Sequence, residues 1–202
     1  MAPPSGDAEP STRPPRRQRA DAQRNTELLL TAAKDVFDEH GVDAPLDDVA
    51  RRAGVGNATL YRHFPTRREL IVAVYAEEVT ALCDRGQALL HDRAPREALF
   101  DWLQAFIAHV ASKRALALAI PNDQGGQRSA LFAGWHTAMH ATAAALLTRA
   151  QRAGTVRADL EVADLLALAT AIALTAADTR RTERLLDLVR RGTDPTPASR
   201  TP

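Results

Sequence analysis

Residues 54–65, GVGNATLYRHFP, limit more than any other stretch what this chain can fold into. Between Gly54/Gly56 and Pro65 there is room for a helix of barely two turns, Asn57 to Phe64. A helix that short is marginal in water, so tertiary packing has to hold it. Leu60 and Phe64, four apart, share one face and supply the grip, while Thr59, Arg62 and His63 gather on the other. The chain must therefore build a scaffold that displays a short polar helix.

The preceding residues supply it. From Asn25 to His40 the positions Leu28, Leu29, Ala32, Ala33, Val36 and Phe37 form a helical stripe, closed by Gly41. Pro45 suits the first turn of a second helix, Leu46 to Ala53, with Leu46, Val49, Ala50 and Ala53 facing inward. Gly54 allows the positive φ of a tight turn. Three short helices with a glycine turn between the last two make a helix-turn-helix unit. Val55, Leu60 and Phe64 then meet Val49, Ala50 and Phe37, and the outer side of the short helix is left to enter a DNA major groove.

Charge points the same way. The net charge of the 202 residues is only +1, yet residues 13–24 carry +4 and residues 49–68 carry +5, while 69–202 balance to zero. The surplus positive charge lies in the first third, so only that end is built for an anionic partner. One cysteine, Cys83, excludes an intramolecular disulfide framework and suits a reducing cytoplasm. The N-terminus lacks the apolar core of a secretory signal, and no apolar run reaches the roughly 18 residues of a membrane span. The longest candidate, LLALATAIALTAA at 165–177, fits a buried helix.

Residues 1–20, rich in Pro, Ser and Arg, read as a disordered basic arm, 21–70 as the helix-turn-helix unit, 71–192 as a larger helical domain and 193–202 as a frayed tail. Thr66 with Glu69 has the capping-box pattern for a long helix through Ile71, Val74, Tyr75, Val79 and Leu82 towards Leu90. Helical periodicity resumes with Leu99, Trp102, Leu103, Phe106, Ile107 and Val110; AIPNDQGGQRS reads as a loop; helices follow near 129–153, 162–177 and 181–191, with Gly154 a stop. No alternating β pattern of useful length occurs, so the chain is all-α.

The run LDDVARRAGVGNATLYRHFPTRRELIVAV resembles the Tet repressor (TetR) family of bacterial regulators, over about residues 24–75. The resemblance implies a cytoplasmic homodimer that binds a palindromic DNA operator and releases it when a small ligand enters the larger domain. It implies that Thr59, Tyr61 and His63 are the main DNA-facing residues, that Gly56, Asn57 and Arg62 lie at the same surface, and that Arg67 holds a phosphate. Two positions depart from the family pattern: Gly56 stands where a capping Ser is frequent, and Ala44 where Ser or Thr is frequent. Each weakens a cap by about 1 kcal/mol or less.

In the larger domain, Phe132, Trp135, His136, Met139 and His140 share a broad face, and Phe100, Trp102, Phe106 and His109 come from the helix before. Such a set suits either an ordinary core or an apolar ligand pocket with a few polar anchors; the pocket candidates are Trp102, Phe106, His109, Phe132, Trp135, His136, Met139 and His140. His136 and His140 have metal-ligand spacing, but no further ligand is suitably spaced, so no metal or other cofactor is expected. The apolar stripes of 162–177 and 182–191 fit an internal core or, by the resemblance, the homodimer interface. No nucleophile–base or paired-carboxylate spacing supports catalysis. The leading expectation is a ligand-released repressor; the alternatives are a constitutive DNA-binding protein without ligand and an all-α enzyme.

Overall fold

The computed structural model describes the backbone of residues 15–119 and 127–195, with side chains over 20–111 and 130–195. The described residues form an all-α fold of helices α1 (Pro15–His40), α2 (Leu46–Ala53), α3 (Asn57–His63), α4 (Arg67–Leu89), α5 (Pro95–Ala119), α6 (Gln127–Arg152), α7 (Val162–Thr175) and α8 (Thr179–Gly192). None of them is long and apolar enough to cross a membrane.

Helix α1 begins at Pro15, ten residues ahead of the expected Asn25, so residues 15–20 are helical rather than a loose arm. Pro at the first turn and the Arg, Gln and Ala after it are compatible with helix without any apolar stripe. The expectation for 1–14 lies outside the described residues, as does most of the loop expected at 119–129, since α5 continues to Ala119 and α6 starts at Gln127. Thr193 is buried and the guanidinium of Arg96 pairs with Asp194 at 2.5 Å, so the expected tail is docked over these two residues.

Leu29, Ala32, Ala33, Val36 and Phe37 of α1 close over Leu46, Val49 and Ala50 of α2 and Leu60 and Phe64 at α3. Gly54, at φ +69°, turns the chain between α2 and α3. The capping box forms as expected: the Glu69 amide donates to Thr66 Oγ1 at 3.2 Å and the Thr66 amide donates to the Glu69 carboxylate at 3.1 Å.

Helix α4 belongs to both halves: it packs on α1 and also on α5 and α6. Lys34 of α1 reaches Glu78 of α4 at 2.7 Å, and this carboxylate holds the Lys34 ammonium above its ordinary pKa. Helix α5 forms the centre of the larger half, packed against α4, α6 and α7, and α8 rests on α7. Trp102 is fully buried and its indole Nε1 donates to the Leu82 carbonyl of α4 at 2.9 Å.

Gly86 permits this approach: a Cβ there would lie 2.1 Å from Thr142 Cγ2 and 2.9 Å from Trp102 Nε1. Both obstacles are stiff, so Gly86→Ala should destabilise the chain by about 1–3 kcal/mol through overpacking. Thermal melts would check this; a Gly86→Ala protein as stable as the parent would show that α4 can slide.

Candidate nucleic-acid interface and apolar cavity

Local chemistry sets the recognition unit. Gly56 occupies the N-cap of α3 in extended conformation without a side-chain cap, and its carbonyl accepts from the Thr59 amide at 2.8 Å. Burial then sorts the helix. Leu60 and Phe64 face the core; Asn57, Ala58, Tyr61 and Arg62 are exposed, Tyr61 at 48%; Thr59 and His63 are half-buried.

Three of the expected contact residues also have partners within the fold. The Asn57 amide donates to Asp47 at 2.9 Å, joining the starts of α3 and α2. His63 Nδ1 lies 3.1 Å from Thr26 Oγ1, joining the end of α3 to α1, so His63 does not simply point outward. Arg67 Nη1 donates to the carbonyls of Val42 and Ala44 at 2.8 and 2.7 Å. That guanidinium closes the α1–α2 turn against the start of α4.

The linear charge count overstates the positive surface of 49–68. Arg52 forms a two-pronged pair with Glu39 at 2.6 and 2.7 Å, and this guanidinium holds the Glu39 carboxyl below its ordinary pKa. Arg51 pairs with Asp48. Both carboxylates lie ahead of the counted window.

In the larger half a cavity of about 640 Å³ opens between α4, α5, α6 and α7. Six of the eight expected pocket residues line it: Phe106, His109, Phe132, His136, Met139 and His140. Trp102 and Trp135 do not. Trp102 is core, held by its bond to Leu82, and Trp135 packs on Tyr75 with ring centroids 4.6 Å apart. Tyr75 of α4, Val110 of α5 and a wall from α7 (Ala163, Leu166, Ala167, Thr170 and Leu174) complete the lining.

Sequence reasoning missed these. The period of α4 shows only that Tyr75 faces inward, and the apolar stripe of α7 fits a core or a dimer interface without marking a cavity wall. Tyr75 links the sets: its ring lies 5.4 Å from His109 and 5.7 Å from Phe132, and burial pushes its phenol pKa up. Among the described residues, the lining carries no Asp, Glu, Lys or Arg. A second cavity of about 450 Å³, between α5 and the α7–α8 corner, is edged by Asp101, Asp178, Glu183, Asp187 and Arg190.

A helix-turn-helix unit joined through a shared helix to an all-α domain defines a DNA-binding regulator, and comparison with known proteins identifies its kind. Residues 29–74 match the family described as bacterial regulatory proteins, tetR family, and residues 94–195 match the transcriptional regulator SbtR-like C-terminal domain. The chain belongs to the TetR family of transcriptional regulators.

A TetR transcriptional regulator from Streptomyces coelicolor is 38% identical, with a TM-score of 0.72 over 85% of this chain and 99% of that one. A TetR regulatory protein from Mycobacterium vanbaalenii is 37% identical, with a TM-score of 0.71 over 88% and 99%. The HTH-type transcriptional activator FasR of Mycolicibacterium smegmatis is 36% identical over 85 residues, 38% of this chain and 39% of its own length. The chain thus spans well under half of that curated relative. Regulators of this family are not enzymes.

Proposed function

We propose that the protein is a homodimeric repressor that binds a palindromic operator through α3 and is released when a small, mostly apolar ligand fills the α4–α7 cavity. In this reading residues 21–70 form the DNA-binding unit and 71–192 the ligand-binding and dimerisation domain. Tyr61, Arg62, Asn57 and Thr59 meet the DNA directly, with Gly56 at the point of closest backbone approach.

One observation carries the coupling. Tyr75, in the cavity wall, lies on the same helix as Arg67, whose guanidinium holds the turn ahead of α2. They lie eight positions apart on the helix, about 12 Å. A ligand that moves the Tyr75 ring tilts α4, and the tilt is delivered at Arg67 and through Lys34–Glu78 to α1. Ligand and operator then compete by favouring different spacings of the two recognition helices. The fully charge-free described lining supports an apolar ligand, with Tyr75, Thr170 and the three histidines as hydrogen-bonding anchors.

A screen for small apolar molecules that raise the melting temperature should yield ligands. A ligand so found should lower operator affinity about 5- to 150-fold, the usual coupling of 1–3 kcal/mol, with the operator weakening the ligand equally. A cavity-bound ligand that leaves operator affinity unchanged would refute induction and leave a constitutive DNA-binding regulator. FasR is named an activator, so a reporter assay decides the sign of regulation.

A further inference from the structure

Thr26 lies on α1, ahead of the run from Leu46 that carries the family resemblance, and its hydroxyl has two neighbours. Thr26 Oγ1 is 3.0 Å from the Ala22 carbonyl and 3.1 Å from His63 Nδ1. A hydroxyl has one hydrogen, and a carbonyl oxygen can only accept. When the hydroxyl donates to Ala22, its lone pair remains for His63, and Nδ1 must carry the proton. In that arrangement the chain runs from His63 Nδ1–H to Thr26 Oγ1–H to the Ala22 carbonyl. Within a seven-residue helix this contact matters, because Leu60 and Phe64 clamp only one face, and the polar ties sit at the two ends: Asn57 to Asp47 at the start and His63 to Thr26 at the finish.

We propose that Thr26 is a positioning residue for DNA recognition: it fixes the ring of His63 in the Nδ1–H tautomer, leaving Nε2 as a hydrogen-bond acceptor for the DNA. The inference rests on α3 being the recognition helix. An acceptor requires a donor opposite it. In the major groove the donors are the exocyclic amino groups, adenine N6 and cytosine N4, whereas phosphate oxygens offer none. His63 therefore selects an amino-bearing base, and Thr26 sets that preference without touching DNA itself.

The test begins with a duplex selected by the wild-type protein from a randomised library. Failure to select any sequence would overturn the DNA-recognition reading itself, and this inference with it. With the selected duplex, Thr26→Val should weaken binding about 5- to 150-fold, the worth of one modest hydrogen bond at each of two half-sites. Thr26→Ser should restore it. In a His63→Ala background, Thr26→Val should cost nothing further, since its whole effect passes through the imidazole. Additive losses would overturn the proposal.

Nitrogen-15 spectra of the free protein supply a readout independent of DNA. Wild-type His63 should show a protonated Nδ1, and Thr26→Val should shift that signal while lowering the melting temperature by only about 1–6 °C, the loss of one modest hydrogen bond. A protonated Nε2 in the neutral wild-type ring would refute the tautomer. Selection repeated with His63→Ala should lose the preference for adenine or for cytosine at one position of each half-site, and which one disappears identifies the amino group. Uniform weakening on all duplexes, with a shallower salt dependence, would mark a phosphate contact and overturn the acceptor role.

Discussion

Two adjacent substitutions, Leu60→Ala and Tyr61→Ala, should fail in opposite ways. Leu60 is 1% exposed between α1 and α2, and truncating a buried leucine costs about 2–5 kcal/mol. For a chain of this size that lowers the melting temperature by about 4–20 °C. Tyr61 is 48% exposed, and surface changes stay within about 0.5 kcal/mol, so its truncation should leave the melt almost unmoved. Its cost falls on the operator: a good base contact is worth about 1–3 kcal/mol, and a dimer loses it twice. Circular-dichroism melts beside anisotropy titrations separate the two effects. His63→Ala should lie between them, losing DNA contact and also the tie to Thr26. If Tyr61→Ala melts as early as Leu60→Ala, the outward facing of Tyr61 is wrong.

What could be read in the sequence depended on how far apart the deciding residues lie. The helix order, the glycine turns at Gly41, Gly54 and Gly154, all with positive φ, and the Thr66–Glu69 box were legible, because each is decided within a few residues. The early start of α1 was not, because Arg16 to Ala20 carry no apolar stripe to betray a helix. His63 and Arg67 find partners 37 and 23–25 residues away, and no local pattern announces them.

The cavity shows the same limit. An aromatic-rich pair of helices marked the neighbourhood, but only packing separates Trp102, spent on Leu82, from Phe106, which lines open space. Helix α7 was hard to apportion for a different reason. Its Ala-rich surface has no polar side, so sequence could not say that one flank walls the cavity while another faces outward. Arg51 and Arg52 mislead in turn, because Asp48 and Glu39 answer them from outside the window in which charge was counted.

Charging the outward flank of α7 and α8 should split the proposed homodimer and remove operator binding. Leu168 is 48% exposed on α7 and Leu188 58% on α8, with Ala171 exposed beside Leu168. Single exposed leucines are ordinary, but large ones on two consecutive packed helices suit the isologous partner of the proposed homodimer. The double substitution Leu168→Glu with Leu188→Glu places four carboxylates across a two-fold interface while touching nothing buried in the protomer. Leu174, equally exposed, is left alone because it also lines the cavity. Sedimentation should report a protomer with unchanged helicity. Operator affinity should fall by about 10²- to 10⁴-fold, because the second half-site no longer binds at the high effective concentration that linkage provides. A dimer that survives both charges would move the interface elsewhere. A monomer that still binds the operator at full strength would be more consequential: the two recognition helices would then not act together, and a ligand that alters only their spacing could not release the DNA.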